Sequence, residues 1–147
     1  MENLHPIITK DGTITLKSFQ YKENFHSSSG ALHETKHKFI NPSLLKRFKD
    51  RSLSVLDICF GLGYNSAQLF HELRIQSSAL KWYGLEIDKR PIKYALKNKK
   101  FIELWDSKTL EILNLIYFKG EYIDKNFNCK LLWGDARKEI NKIPANI

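Results

Sequence analysis

The stretch of residues 53–65, LSVLDICFGLGYN, constrains the fold of this chain more than any other. Four apolar positions within six (Leu53, Val55, Leu56 and Ile58) make a short run of the kind found in parallel strands covered on both faces. Asp57 falls near the strand's end, and Gly61 and Gly63 follow in a tight turn. Tyr64, Ala67, Phe70 and Leu73 then recur every three residues, which predicts a helix packed back onto the sheet. Strand, glycine turn and helix form the first unit of a nucleotide-binding α/β domain. Bare glycines let the backbone approach a ligand, and the helix N-terminus offers free N–H groups.

A chain of 147 residues with 42% hydrophobic content buries one core, so residues 1–147 are expected to form a single domain. Residues 1–50 read as an N-terminal hairpin and helical extension, and 51–147 as the α/β core. No run of about 18 apolar residues predicts a transmembrane helix. The start, MENLHPIITKDG, lacks an apolar signal-peptide core. Two cysteines, Cys59 and Cys129, 70 positions apart, do not make a disulfide framework or a zinc cluster, and they fit a reduced cytoplasm. The net charge of +8 suits a polyanionic partner. A Lys-, Asn- and Ile-rich genome produces the same bias, and charge alone leaves both readings open.

Residues 11–25 read as a hairpin: Asp11-Gly12 turns, Thr13 to Leu16 alternate, and Phe19, Tyr21 and Phe25 add aromatics. A polar loop, HSSSG, precedes a helix over 31–40 with Leu32, Thr35 and Phe39 facing inward, stopped by Asn41-Pro42. A second short helix is expected over 43–49. The first helix contains His33-Glu34-Thr35-Lys36-His37, which matches HExxH, the zinc-hydrolase pattern. Its longer form needs glycine at 40 and histidine at 43, where the chain has Ile40 and Ser43. Asp50 and Asp57 are the only nearby acids downstream, so a zinc hydrolase is the third-ranked reading and no metal is expected.

Residues 81–87 predict a second strand ending in Glu86, 23 residues beyond Gly63. Such folds place a carboxylate on ribose hydroxyls at about this interval. Asp88 is expected to cap the next helix, with Pro91 in its first turn. Lys89, Lys93, Lys97 and Lys100 form nearly one stripe on a helix over 91–100, with Ile92, Ala95 and Leu96 opposite. That stripe either follows a phosphate backbone or is a solvated face. A helix over 101–118 and a loop over 118–127 lead to a third strand, 129–133. Gly134-Asp135-Ala136 follows, with Asp135 a ligand-binding acid or a helix N-cap.

Asp57-x-Cys59-x-Gly61-x-Gly63 resembles the first motif of the class I S-adenosylmethionine (SAM) methyltransferases, acid-x-Gly-x-Gly-x-Gly. A GxGxxG dinucleotide fingerprint fails at Ser66. Cys59 stands where the motif has its first glycine, and because cysteine is strained at positive φ, an ordinary backbone is expected there. The resemblance implies an α/β, Rossmann-like class I SAM-dependent methyltransferase fold and SAM as cofactor. It implies that Asp57, Phe60, Gly61 and Gly63 hold the cofactor, with Glu86 on its ribose and Asp135 and Ala136 at its adenine.

Taken with DGTITL, FHSSSGALHETKHKFI, YGLEIDKRPI and LLWGDAR, the chain resembles the MnmC-like tRNA 5-aminomethyl-2-thiouridine methyltransferases along nearly its whole length. That resemblance places His26, Ser27, Gly30, Ala31 and Glu34 in a signature before the SAM strand, which accounts for HETKH without zinc. It also matches Asn65, and it adds Glu34 and Asn65 to the residues expected to hold the cofactor. It implies tRNA as partner, with a flavin-dependent oxidoreductase fused or separate. The family's sheet has seven strands, and three central ones plus the hairpin are expected here. The acidic Asp-x-Phe-x-Pro motif that orients the amine is not present. The chain therefore reads as an N-terminal portion, with its catalytic residues expected in a C-terminal part or separate half. The runner-up is a non-catalytic RNA- or protein-binding fragment with a vestigial SAM pocket.

Overall fold

In the computed structural model, which describes residues 4–145, the chain opens with a three-stranded antiparallel sheet. Strands β1 (Leu4–Ile8), β2 (Ile14–Ser18) and β3 (Glu23–Asn24) lie in that order. Asp11-Gly12 turns as expected, and within residues 11–25 β2 pairs with β3, Lys17 opposite Asn24. Strand β2 also pairs with β1, the segment before the turn, with Ile8 opposite Ile14. His5-Pro6 hid β1 from the sequence pattern, and Pro6 is tolerated because β1 is an edge. Asp11 knots the turn by accepting the Thr13 N–H at 3.0 Å and the Thr9 and Thr13 hydroxyls. Burial raises its pKa, but these bonds and the His33 N–H prevail and hold it at about 2.

The next helix is compound. Helix α1 (Ala31–Glu34) runs through a π-helical turn (Thr35–Ile40) into α2 (Asn41–Ser43). Asn41-Pro42 does not stop it, because Pro42 sits in the first turn of α2, where a missing N–H costs nothing. The stop comes at Leu44, in the left-handed region with φ 52°. Thr35 is buried, but Phe39 is 50% exposed rather than inward. A 3₁₀ turn (Leu45–Phe48) leads into the second sheet.

That sheet has the order β4 (Ser52–Ile58), β5 (Ala79–Glu86), β7 (Phe127–Trp133), β6 (Glu121–Ile123). The first three are parallel and β6 is antiparallel to β7. Strand β6 occupies part of the stretch expected to be a loop; at three residues it is too short to show a period. Helix α3 (Tyr64–Ile75) buries Tyr64, Ala67, Phe70 and Leu73 completely, as its spacing predicts. The expected helix over 91–100 breaks into α4 (Arg90–Ala95) and α5 (Lys99–Ile102), with Asn98 capping α5 through the Lys100 N–H. A further break precedes α6 (Ser107–Lys119), whose first turn is capped by Asp106. The core gathers Trp82, Phe70, Leu85, Leu113 and Ile116 between sheet and helices. This is a Rossmann-like α/β fold. One expectation fails: β4 is an edge strand, and Leu53, Val55 and Leu56 are only half-buried instead of covered on both faces.

Candidate cofactor site

Beyond β4 the chain must leave the sheet over the tip of β5. Both the Cys59 and Phe60 N–H groups reach the Leu85 carbonyl, at 3.0 and 3.3 Å. That geometry requires a left-handed residue, and Cys59 takes φ 65°, against the ordinary conformation expected. A non-glycine residue there costs roughly 1–2 kcal/mol, which is why a glycine suits this position. Gly61 and Gly63 also have positive φ, 60° and 87°. A Cβ on Gly63 would press to 3.0 Å on the Phe60 ring and 3.1 Å on Ile92.

Glu86, at the tip of β5, holds this loop. Its Oε2 accepts the Gly61 N–H at 2.7 Å, and its Oε1 accepts the N–H groups of Ile87 and Asp88. Asp88 in turn accepts the Arg90 N–H at 2.9 Å at the start of α4, the capping expected of it. Asp57 accepts the Ser66 hydroxyl from the first turn of α3. Burial pushes the Asp57 carboxyl up to about 6, with the neighbouring Glu86 charge acting the same way and Ser66 opposing.

The N-terminal segment forms the opposite wall. Thr35 donates its hydroxyl to Asn65 Oδ1 at 2.8 Å, locking the π-helical turn onto the glycine loop. Glu34 accepts the Ser27 N–H at 2.8 Å and the Lys38 ammonium at 2.6 Å, and its Oε2 lies 3.5 Å from His26 Nδ1. His26 stacks edge-on against Tyr64, ring centroids 5.1 Å apart. Burial lowers the His26 pKa despite Glu34. The HETKH glutamate therefore turns toward His26 and Ser27, while His33 and His37 stack on each other outside, with ring centroids 4.3 Å apart. Among the described residues, no group of three His, Cys, Asp or Glu side chains is placed to hold a metal ion.

Between these walls lies a cavity of about 630 Å³, within the range of small-molecule sites. Asp57, Phe60, Gly61, Asn65 and Glu34 line it. Gly63 and Glu86 do not line it; Glu86 is buried and reaches the site through the Gly61 N–H it accepts. Asp135 and Ala136, at the end of β7, do not line the cavity. Asp135 instead caps α7 (Ala136–Glu139) by accepting the Arg137 N–H at 3.0 Å, and hydrogen bonds from Arg137 hold its carboxyl at about 2. The four lysines of the stripe are exposed, but the helix break separates them, and Lys89 lies over the Trp133 ring at 5.1 Å. Sequence reasoning missed Ser66 as the Asp57 partner and Phe25 as the side chain facing Gly61, where an added Cβ would stand 3.5 Å away. Hydroxyl-for-glycine at 66 was the available signal for the first; none marked the second.

The Rossmann-like sheet thus sets a glycine loop between its parallel strands β4 and β5, with the carboxylates of Asp57 and Glu86 at the two adjoining strand tips. No family model matches the chain. It is 33% identical over 134 residues to an uncharacterized protein of Methanocaldococcus jannaschii, which covers 91% of this chain and 36% of that protein. The crystal structure of MnmC2 from Aquifex aeolicus shares the fold with a TM-score of 0.75 and 30% identity, over 99% of this chain and 47% of that one. The chain thus spans about a third of the first protein's length and about half of the second's. Among the described residues no helix is long and apolar enough to cross a membrane.

Proposed function

We propose that this chain is the SAM-binding portion of a methyltransferase that acts on the 5-aminomethyl group of wobble 2-thiouridine in tRNA. The observation carrying this reading is the glycine loop pinned by Glu86 beside the cavity, in a fold that MnmC2 shares at 30% identity. The residues fit the cofactor. Gly61 presents bare backbone at φ 60° with Phe25 beyond it, and Asp57 supplies a carboxylate to the cavity lining. Three of about four acceptor positions on Glu86 already hold N–H groups, which leaves one for a ribose hydroxyl. Asp135, half-exposed and paired with Arg137, offers a carboxylate at the neighbouring strand tip for adenine.

When bound, SAM supplies an electrophilic methyl group. The chain's own part is positioning. Glu86 fixes the loop, Thr35 and Asn65 tie the outer wall to it, and Phe60 with the apolar wall excludes water. Transfer needs the amine held within roughly 3–3.5 Å of the methyl carbon, in line with the leaving sulfur. The groups for that are assigned to strands that would join β4 on its open side, from a C-terminal part or a separate half. A cytoplasmic site of action and a flavin-dependent partner belong to the same proposal.

Calorimetry tests the pocket. The wild-type chain is expected to bind SAM weakly, and Gly61→Val to abolish binding, since a β-branched residue is strained at this φ and fills the approach. Equal affinity in both proteins overturns the assignment. With labelled SAM and tRNA lacking the final modification, no turnover is expected from this chain alone. Robust turnover would show that the amine is positioned by residues within it.

A further inference from the structure

We propose that a single RNA strand docks on the N-terminal sheet, with its phosphates along a polar groove and its target base entering the cavity over His26. The base's identity rests on the methyltransferase reading above, but the docking itself is measurable without SAM. The groove, about 500 Å³, is lined by Lys17, Lys22 and Lys38 with Asn24, Ser27 and Ser28, against the carboxylates of Glu23 and Glu34. It shares Phe25, His26 and Glu34 with the larger cavity, so the two adjoin with these side chains between them. Beside it the chain exposes three aromatic rings within seven residues: Phe19 at 54%, Tyr21 at 70% and Phe25 at 37%. The Lys17 ammonium lies 5.8 Å from the centre of the Phe19 ring.

Exposed rings interleaved with cations are what an unpaired strand requires, because bases stack on aromatic faces while lysines follow the backbone. The segment that continues from Lys38 adds to the charge around the groove. Residues 36–51 carry six lysines and arginines against one carboxylate, Asp50, and of these Lys38 lines the groove itself. The Lys89 to Lys100 stripe, by contrast, lines neither the cavity nor the groove. A strand held there would not pass the place where a methyl group is delivered.

Fluorescence anisotropy with a short labelled single-stranded RNA tests this. The Lys17→Glu, Lys22→Glu pair is expected to weaken binding at least tenfold and to flatten the salt dependence. Tyr21→Ala is expected to weaken it about fivefold or more with the salt slope unchanged, as loss of stacking requires. Melting followed by circular dichroism checks that each variant folds. The proposal is overturned if no RNA binds, if duplex binds as tightly as single strand, or if Lys93→Glu, Lys97→Glu loses affinity while the groove variants keep it. Calorimetry with SAM separates the two readings. RNA mapping to the groove in a chain that never binds SAM sustains the docking surface and removes the methyltransferase assignment.

Discussion

The two edges of the parallel sheet are finished in opposite ways. Beyond β7 lies β6, short and antiparallel, entered through Gly120 at φ 80° and closed by Asp124, which accepts the Tyr122 hydroxyl and the N–H groups of Asn126 and Phe127. At the other edge β4 runs seven residues, pairs on one side only, and leaves Ile58 51% exposed. Parallel strands normally lie between covered faces, and a long apolar edge is a template for another strand. Stability is therefore concentrated around β5 and β7, while the cavity and the docking potential sit at β4.

Breaking the closed side should have the largest effect. Trp82 is fully buried and meets Phe60 and Phe70 edge-on at 5.6 and 5.4 Å. Gly84 makes room for it, since a Cβ there would lie 2.2 Å from the indole. Trp82→Ala is expected to cost about 3–5 kcal/mol in urea unfolding. Trp82→Phe should cost clearly less, because the buried indole N–H has no hydrogen-bond partner among the described residues to lose. Similar losses in both variants would show that the indole's polar end, not its packing, matters here.

Asp57 comes next, at the junction of the two regions. Its folded-state pKa of about 6 lies above the ordinary 3.8, so the folded state holds the proton more tightly than the unfolded one. Ionisation then costs stability progressively from about pH 4 to pH 6, and the full penalty, on the order of 2–3 kcal/mol, applies above that. Asp57→Asn keeps an acceptor for the Ser66 hydroxyl and removes the charge. It is expected to raise the melting temperature at pH 7, with the gain vanishing near pH 4, while weakening SAM binding. A gain that persists unchanged at pH 4 would exclude charge burial as its cause.

Much of this division was legible in the sequence. Val55 to Gly63 announced the strand and loop, and the three-residue spacing from Tyr64 announced the helix. The path of the chain at Cys59 was not legible, because the shared contact with the Leu85 carbonyl is set by β5, a strand distant in sequence. The edge position of β4 was hidden for a related reason: its apolar run reads the same whether or not a neighbour covers it. The π-helical turn over Thr35–Ile40 leaves no trace in a pattern read at 3.6 residues per turn. Asp135 could be read as a cap or a ligand, and the Arg137 N–H it accepts supports the cap without excluding a further contact.

The open edge should respond differently from the core. Ile58→Lys places a charge where the side chain is already half in water, so its effect on stability is expected to stay within about 0.5 kcal/mol. The wild-type chain is expected to self-associate through β4, and the lysine to abolish this in sedimentation velocity. If Ile58→Lys unfolds the protein as Trp82→Ala does, the contrast between the edges fails.

The smallest effect is expected beside that open edge, at His33 and His37. Both are exposed, and their rings touch each other rather than the cavity. The glutamate between them is engaged by Ser27 and Lys38, so it is not free to activate a metal-bound water. Replacing both histidines by alanine removes side chains from a solvated face, where substitutions are usually worth less than about 0.5 kcal/mol. The double variant should keep wild-type SAM affinity, and the purified wild type should carry no stoichiometric zinc by metal analysis. One zinc per chain, lost in the double variant, would make HETKH a metal site and shift the chemistry from the glycine loop to the helix that walls it.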